Sequence, residues 1–220
     1  MRAFLGDGDR QYLTGLKMGG RRVLILVDAS ASMLDETIVN VIRRRNMDDA
    51  SKRQAPKWRR AIATVEWLLS QLPAQAQVQI QTFDTRARAL PDAAAARWVA
   101  SSDAAALDAM VAALKDVVPA GGTSLHAAFS AIRALQPAPD NVMLITDGLP
   151  TQGASPPALA TVSSRDRLQH FESAVQGLRP AMPVNTILFP MEGDPLAAAA
   201  FWQLAGLTRG SFISPARDWP

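Results

Sequence analysis

Apolar residues recur with two periods along this chain, and the two alternate. Val23-Leu24-Ile25-Leu26-Val27 is an uninterrupted aliphatic run that ends in Asp28-Ala29-Ser30-Ala31-Ser32. Such a run, bounded by polar residues, predicts a strand over about 21–28 buried on both faces, as at the centre of a parallel sheet. Asn141-Val142-Met143-Leu144-Ile145-Thr146-Asp147-Gly148 repeats the logic, with a buried strand closing on an Asp and a turn, and Val184–Phe189 reads as a third strand of this kind. Residues 76–84 alternate instead, Val78, Ile80 and Thr82 against Gln77, Gln79 and Gln81. That predicts a half-exposed strand toward a sheet edge, with 86–90 returning as a short antiparallel partner.

Between these runs the spacing turns helical. Trp58, Ile62, Val65, Leu68, Leu69 and Leu72 mark one face of a helix that Pro56 opens and Pro73 stops. Leu107, Met110, Val111 and Leu114 mark another over 104–118, and Leu125–Leu135, 165–178 and Pro195–Leu207 read as three more. Gly210 is expected to end the last of these, before a short strand at 211–213. The Gly121-Gly122-Thr123-Ser124 loop leads into the helix at 125, with Thr123 or Ser124 as its cap. Residues 92–97 read as a connector, and 149–164 as a loop rich in Pro, Gly, Ser and Thr. The stretch 33–56 fits least well. Ile38, Val41 and Ile42 suggest a short helix, and 43–55 has no apolar face and reads as an exposed loop.

Strands alternating with helices predict an α/β fold, doubly wound, with a mostly parallel central sheet carrying one short antiparallel edge strand. Residues 1–20 read as an N-terminal extension closed by Gly19-Gly20. Residues 21–215 read as one domain with an insertion-like basic segment at 33–56, and 216–220 as a tail. At 220 residues the chain is long enough for one well-buried domain of this class. It has no Cys, which excludes disulfides, thiolate metal sites and thiol nucleophiles. No run approaches the roughly 20 apolar residues that span a bilayer, and the first twenty residues lack a signal-peptide core. The chain as given is therefore expected to be soluble and cytoplasmic by default, with export or anchoring left to any sequence outside it.

The net charge of +3 changes this picture only through its placement. Residues 33–60 carry eight basic groups (Arg43, Arg44, Arg45, Lys52, Arg53, Lys57, Arg59, Arg60) against four acidic ones, and the remainder is nearly neutral. Such a segment is either a solvated helical face or a patch that steers an acidic partner. Trp58, flanked by Lys57, Arg59 and Arg60, is by default a packing residue like the other tryptophans, with an interface there as the alternative. Nucleic-acid binding is a poorer fit, since no aromatic stacking platform accompanies the charge.

The chemistry concentrates on one rim. In a parallel sheet all strands end on the same side, where open α/β sheets place their ligands. Asp28, Ser30 and Ser32 follow one strand, Asp147 ends another, and Thr123 lies in the glycine-rich loop feeding the helix before it. Carboxylate and hydroxyl oxygens without His or Cys suit a hard cation such as Mg²⁺. The same oxygens are also ordinary caps for turns and helices. No G-x-G-x-x-G follows the first strand, and Ser30 and Ser32 lack the nucleophile-elbow context. With two His residues, His126 and His170, an imidazole-assisted nucleophile has few candidates.

D-x-S-x-S at 28–32, G-G-T-S at 121–124 and T-D-G at 146–148, in this order, resemble the von Willebrand factor A domain with its metal-ion-dependent adhesion site. The resemblance covers roughly residues 20–215. It implies that Ser30 and Ser32 bind Mg²⁺ (or Mn²⁺ or Ca²⁺) through their hydroxyls. By the same resemblance Thr123 binds directly or through water, and Asp28 and Asp147 act largely through bridging waters. It further implies a non-enzymatic module whose metal receives an Asp or Glu carboxylate from a protein partner. The segment 33–56 departs from the family, whose members pass quickly from this motif into the first long helix. Two alternatives stand beside this expectation, a metal-dependent hydrolase on a similar scaffold and a metal-free scaffold domain.

Overall fold

The computed structural model describes residues 15–92, 96–157, 161–178, 182–216 and 219. Its central sheet runs β3-β2-β1-β5-β6-β7, where β1 is Arg22–Asp28, β2 Gln77–Phe83, β3 Ala87–Ala89, β5 Asn141–Thr146, β6 Val184–Leu188 and β7 Phe212–Ile213. From β2 to β7 all pairings are parallel. The antiparallel partner expected at 86–90 is β3, and β4 (Val99–Ala100) continues the same outer edge of β2. The connector at 92–97 and the tail at 216–220 fall partly outside the described residues, as does most of the extension at 1–20.

Helices cover both faces, as the buried strands require. They are α1 Ile38–Arg45, α2 Asp49–Arg53, α3 Pro56–Ser70, α4 Ala104–Asp116, α5 Leu125–Ala134, α6 Ser164–Gln176 and α7 Ala197–Thr208. The two-residue period of β1 divides the core. Val23, Ile25 and Val27 pack with Trp58, Val65, Leu107 and Met110 from α3 and α4. Leu24 and Leu26 pack with Phe129, Phe171 and Phe201 from α5, α6 and α7. Leu16 and Met18, from the end of the expected N-terminal extension, are buried in the first of these clusters.

Two local expectations are revised, and one open alternative is decided. Strand β2 is not half exposed: only Gln77 faces solvent, and Gln79 and Gln81 are buried. The alternation in its sequence marks two different buried faces, because β3, β4 and the neighbouring helices cover what an edge would show. Residues 43–55 are not an exposed loop. The Asp48 carboxylate accepts the Ser51 N–H and caps a second short helix, α2, which has no buried residue because its polar side chains face water. Trp58 is fully buried in the core, as its place on the apolar face of α3 predicts, and the alternative of an interface there falls.

The end of α7 also differs in detail. Arg209, not Gly210, takes the left-handed conformation (φ 57°) that closes the helix. Gly210 serves a different need, since a Cβ there would lie 1.9 Å from the Val184 carbonyl oxygen at the start of β6. A backbone atom cannot rotate away as a side chain can. Gly206, inside α7, faces nothing within 4 Å. Gly210→Ala is therefore expected to cost about 2 kcal/mol or more, and Gly206→Ala to stabilise by roughly 0.5–1 kcal/mol. Urea unfolding of the two variants checks the opposite signs.

Candidate metal centre

The chain runs outward from β1 to β2 and its short partners, then crosses back to β5 on the other side of β1. The carboxyl ends of β1 and β5 thus flank the point where strand order reverses, the crevice that ligands occupy in open α/β sheets. Register places Val27 beside Ile145, so Asp28 and Thr146 end the two strands side by side. The Thr146 hydroxyl donates to Asp28 Oδ2 at 2.7 Å. Asp28 Oδ1 accepts the Ser30 N–H at 2.8 Å, which turns the chain away from the strand and into a 3-10 turn at Ala31–Leu34.

That turn brings the hydroxyls of Ser30 and Ser32 to 2.9 Å from each other, and Ser32 donates to Asp147 Oδ1 at 2.9 Å. Asp28, Ser30 and Asp147 are buried and Ser32 is half-buried. Four of the five sequence-selected residues are therefore joined in one hydrogen-bonded series, Asp28 through the Ser30 backbone N–H and the other three through their side-chain oxygens. Thr123, also buried, arrives on a separate loop tied to the same rim. Ala31 N–H donates to Gly121 O at 3.1 Å, and Ala120 N–H to Ala29 O at 2.9 Å. Gly121 has φ +74°, a conformation glycine adopts without strain. At Gly122 a Cβ would meet Thr151 Oγ1 at 2.7 Å, and that oxygen accepts the Thr123 N–H at 2.9 Å. The glycine pair thus lets Thr151 fix the Thr123 backbone. Ser124 rather than Thr123 caps α5, through the Ala127 N–H.

Sequence reasoning missed the group that completes this cluster. Lys57, in the first turn of α3, is buried, and its Nζ lies 2.6 Å from Asp147 Oδ2. It also donates to the carbonyls of Asp35 at 3.1 Å and Ser32 at 3.2 Å. In the sequence Lys57 is one of eight basic residues in a polar stretch, and nothing in its spacing distinguishes it. The rest of that basic segment is also less free than its charge suggests. Arg44 pairs with Asp35 at 3.0 Å, and the Arg60 Nε donates to the Trp219 carbonyl at 3.1 Å. His126 sits half-buried in the first turn of α5, and the His170 ring lies against Gly153.

Negative charge at the rim is costly. Burial, and after it the charge of Asp147, push the Asp28 carboxyl up to about 7 despite its hydrogen bonds from Ser30 and Thr146. Among the described residues no three or more His, Cys, Asp or Glu side chains gather as a metal cluster. A cation here would draw on hydroxyl oxygens besides two carboxylates. The oxygens present fit that donor set: they are hard and clustered, and their two carboxylates outnumber the single Lys57 ammonium beside them.

The weakened acidity of Asp28 has a definite sign in stability. Below about pH 4 Asp28 is protonated in both folded and unfolded chains; as pH rises to 7 the unfolded chain ionises freely and the folded one resists, so stability is lost. Asp28→Asn keeps a carbonyl for the Ser30 N–H and removes this effect. In EDTA the stability of Asp28→Asn relative to wild type should rise by on the order of 2–4 kcal/mol between pH 4 and 7.5. Denaturant titrations at a series of pH values measure it, and a flat difference would mean that Asp28 titrates normally.

Comparison with known proteins is consistent with this geometry. In structure the chain resembles a von Willebrand factor type A protein from Catenulispora acidiphila (TM-score 0.55, 15% identity, 90% of this chain and 39% of that one). It also resembles the pilus adhesin SpaC from Lactobacillus rhamnosus GG (TM-score 0.54, 12% identity, 90% and 29%). A third likeness is to the PilB minor pilin from Streptococcus sanguinis (TM-score 0.54, 16% identity, 91% and 58%). The chain thus spans less than two thirds of each of these proteins, and at such identities the likeness is one of fold. No curated protein matches it. Residues 23–149, more than half the chain, match the family model described as von Willebrand factor type A domain, and the chain belongs to that family.

Proposed function

We propose that this protein is a non-enzymatic interaction module that binds an acidic side chain of a partner protein through Mg²⁺ at the rim of its sheet. The observation that carries this reading is the buried oxygen chain Ser30–Ser32–Asp147 beside Asp28, whose own ionisation is opposed by burial. Ser30, Ser32 and Thr123 would hold the ion through hydroxyls, with Asp28 and Asp147 supplying the negative charge around it. When bound, the ion offers a Lewis-acidic site for an incoming carboxylate. Mn²⁺ and Ca²⁺ are alternative occupants of the same oxygens.

The surface beside the site supports an acidic protein partner. Helix α1 follows the 3-10 turn and leaves Ile38, Val39 and Ile42 exposed, with Met47 just beyond it. Arg45, at the end of α1, lines a cleft of about 440 Å³ with Gly121, Gly122 and Thr151, next to the Thr123 loop. Apolar contact area and an arginine beside an electrophilic centre suit a partner segment that carries a carboxylate. The structural likeness to a pilus adhesin and a minor pilin agrees with a binding rather than a catalytic role. Among the described residues no helix is long and apolar enough to cross a membrane.

Calorimetric titration of EDTA-stripped protein should find one Mn²⁺ or Mg²⁺ per chain. Ser30→Ala should weaken that affinity about tenfold or more without changing the far-ultraviolet circular dichroism. Partner capture in Mg²⁺ should be lost in EDTA and with Ser30→Ala. Equal capture with and without the metal would sink the proposal.

A further inference from the structure

The sequence-selected site accounts for two buried carboxylates and three hydroxyls but not for the buried cation against them. A lysine in the first turn of a helix faces the positive end of the helix dipole, an unfavourable place for a cation. Lys57 occupies the second position of α3, just after Pro56, and is buried there nevertheless. Its three ammonium protons meet three oxygens: Asp147 Oδ2 at 2.6 Å, Asp35 O at 3.1 Å and Ser32 O at 3.2 Å. The Met191 sulfur lies further off at 3.8 Å. The ammonium therefore grips both the turn that carries Ser30 and Ser32 and the far oxygen of the carboxylate that accepts from Ser32.

Resting on the metal-site reading above, we infer that Lys57 is a resident counter-ion of this centre, one that opposes the divalent cation at Asp147. Charge balance gives the reason. With both carboxylates ionised, Asp28, Asp147 and Lys57 sum to one negative charge, so a divalent cation leaves the centre with one positive charge. Without Lys57 the same cation would be fully neutralised and held more strongly. Lys57 thus keeps the protein stable when no ion is bound, weakens the hold on the ion, and leaves surplus positive charge for an incoming carboxylate. Its electrostatic reach is long, because buried charges a few ångströms apart are poorly screened.

The test is the affinity for Mn²⁺ alone, measured by calorimetry on EDTA-stripped wild type, Lys57→Met and Lys57→Gln. Both variants should bind Mn²⁺ at least about tenfold more tightly than wild type. Lys57→Gln keeps an amide to donate to the Ser32 and Asp35 carbonyls, so it decides the matter if Lys57→Met does not fold without metal. A purely structural brace predicts the reverse, since loosening the turn would weaken metal binding. Equal or weaker binding in a folded variant would overturn the role of Lys57 and leave the metal site standing. Failure of all three proteins to bind Mn²⁺ would overturn both.

Discussion

Parallel pairing of β1 with β5 puts two carboxylates side by side at one rim, and the surrounding structure answers the cost of burying them. Asp28 receives the Ser30 N–H and the Thr146 hydroxyl, and Asp147 receives the Ser32 hydroxyl and the Lys57 ammonium. The donors come from three separate parts of the chain, the turn after β1, the end of β5 and the start of α3, so the charge itself ties them together. Buried like charges this close would otherwise drive protons onto the site or water into it.

The glycine-rich loop serves the same end from the other side. Its backbone bonds to Ala29 and Ala31 hold it against the turn after β1, and Thr151 reaches it only because residue 122 has no side chain. The rim is therefore built from backbone ties as much as from side chains. Its hydroxyls are placed in advance, an arrangement that favours ligand binding over rearrangement. Beyond it, α1 and Arg45 extend the rim into a surface with both apolar and basic character.

The segment 33–60 connects these features. It contains the exposed face of α1, the polar helix α2 and, at its far end, Lys57. A segment of this length between the hydroxyl turn and the first long helix does more than add surface. It delivers the helix α3 so that its first turn returns to the site. Arg44 bound to Asp35, and Arg60 bound to the carbonyls near the C-terminus, anchor the two ends of that detour.

Much of this was legible in the sequence, because aliphatic runs such as 23–27 and 141–145 and the helical spacing from Trp58 onward are local signals of burial. The ordered motifs around Asp28, Thr123 and Asp147 likewise fall where strand ends and a helix entry are forced. What the sequence could not decide depended on neighbours distant in the chain. Strand β2 looks half exposed until β3, β4 and the neighbouring helices cover it, and Trp58, on an apolar helix face but flanked by charges, reads as core or interface until α3 docks. Gly210 reads as a helix stop, but its requirement comes from the Val184 carbonyl across the fold. Lys57 is the clearest case. Its charge is visible in the sequence, but its burial against Asp147, 90 residues away, is set by how the segment 33–60 folds back, and only the tertiary structure brings the two together.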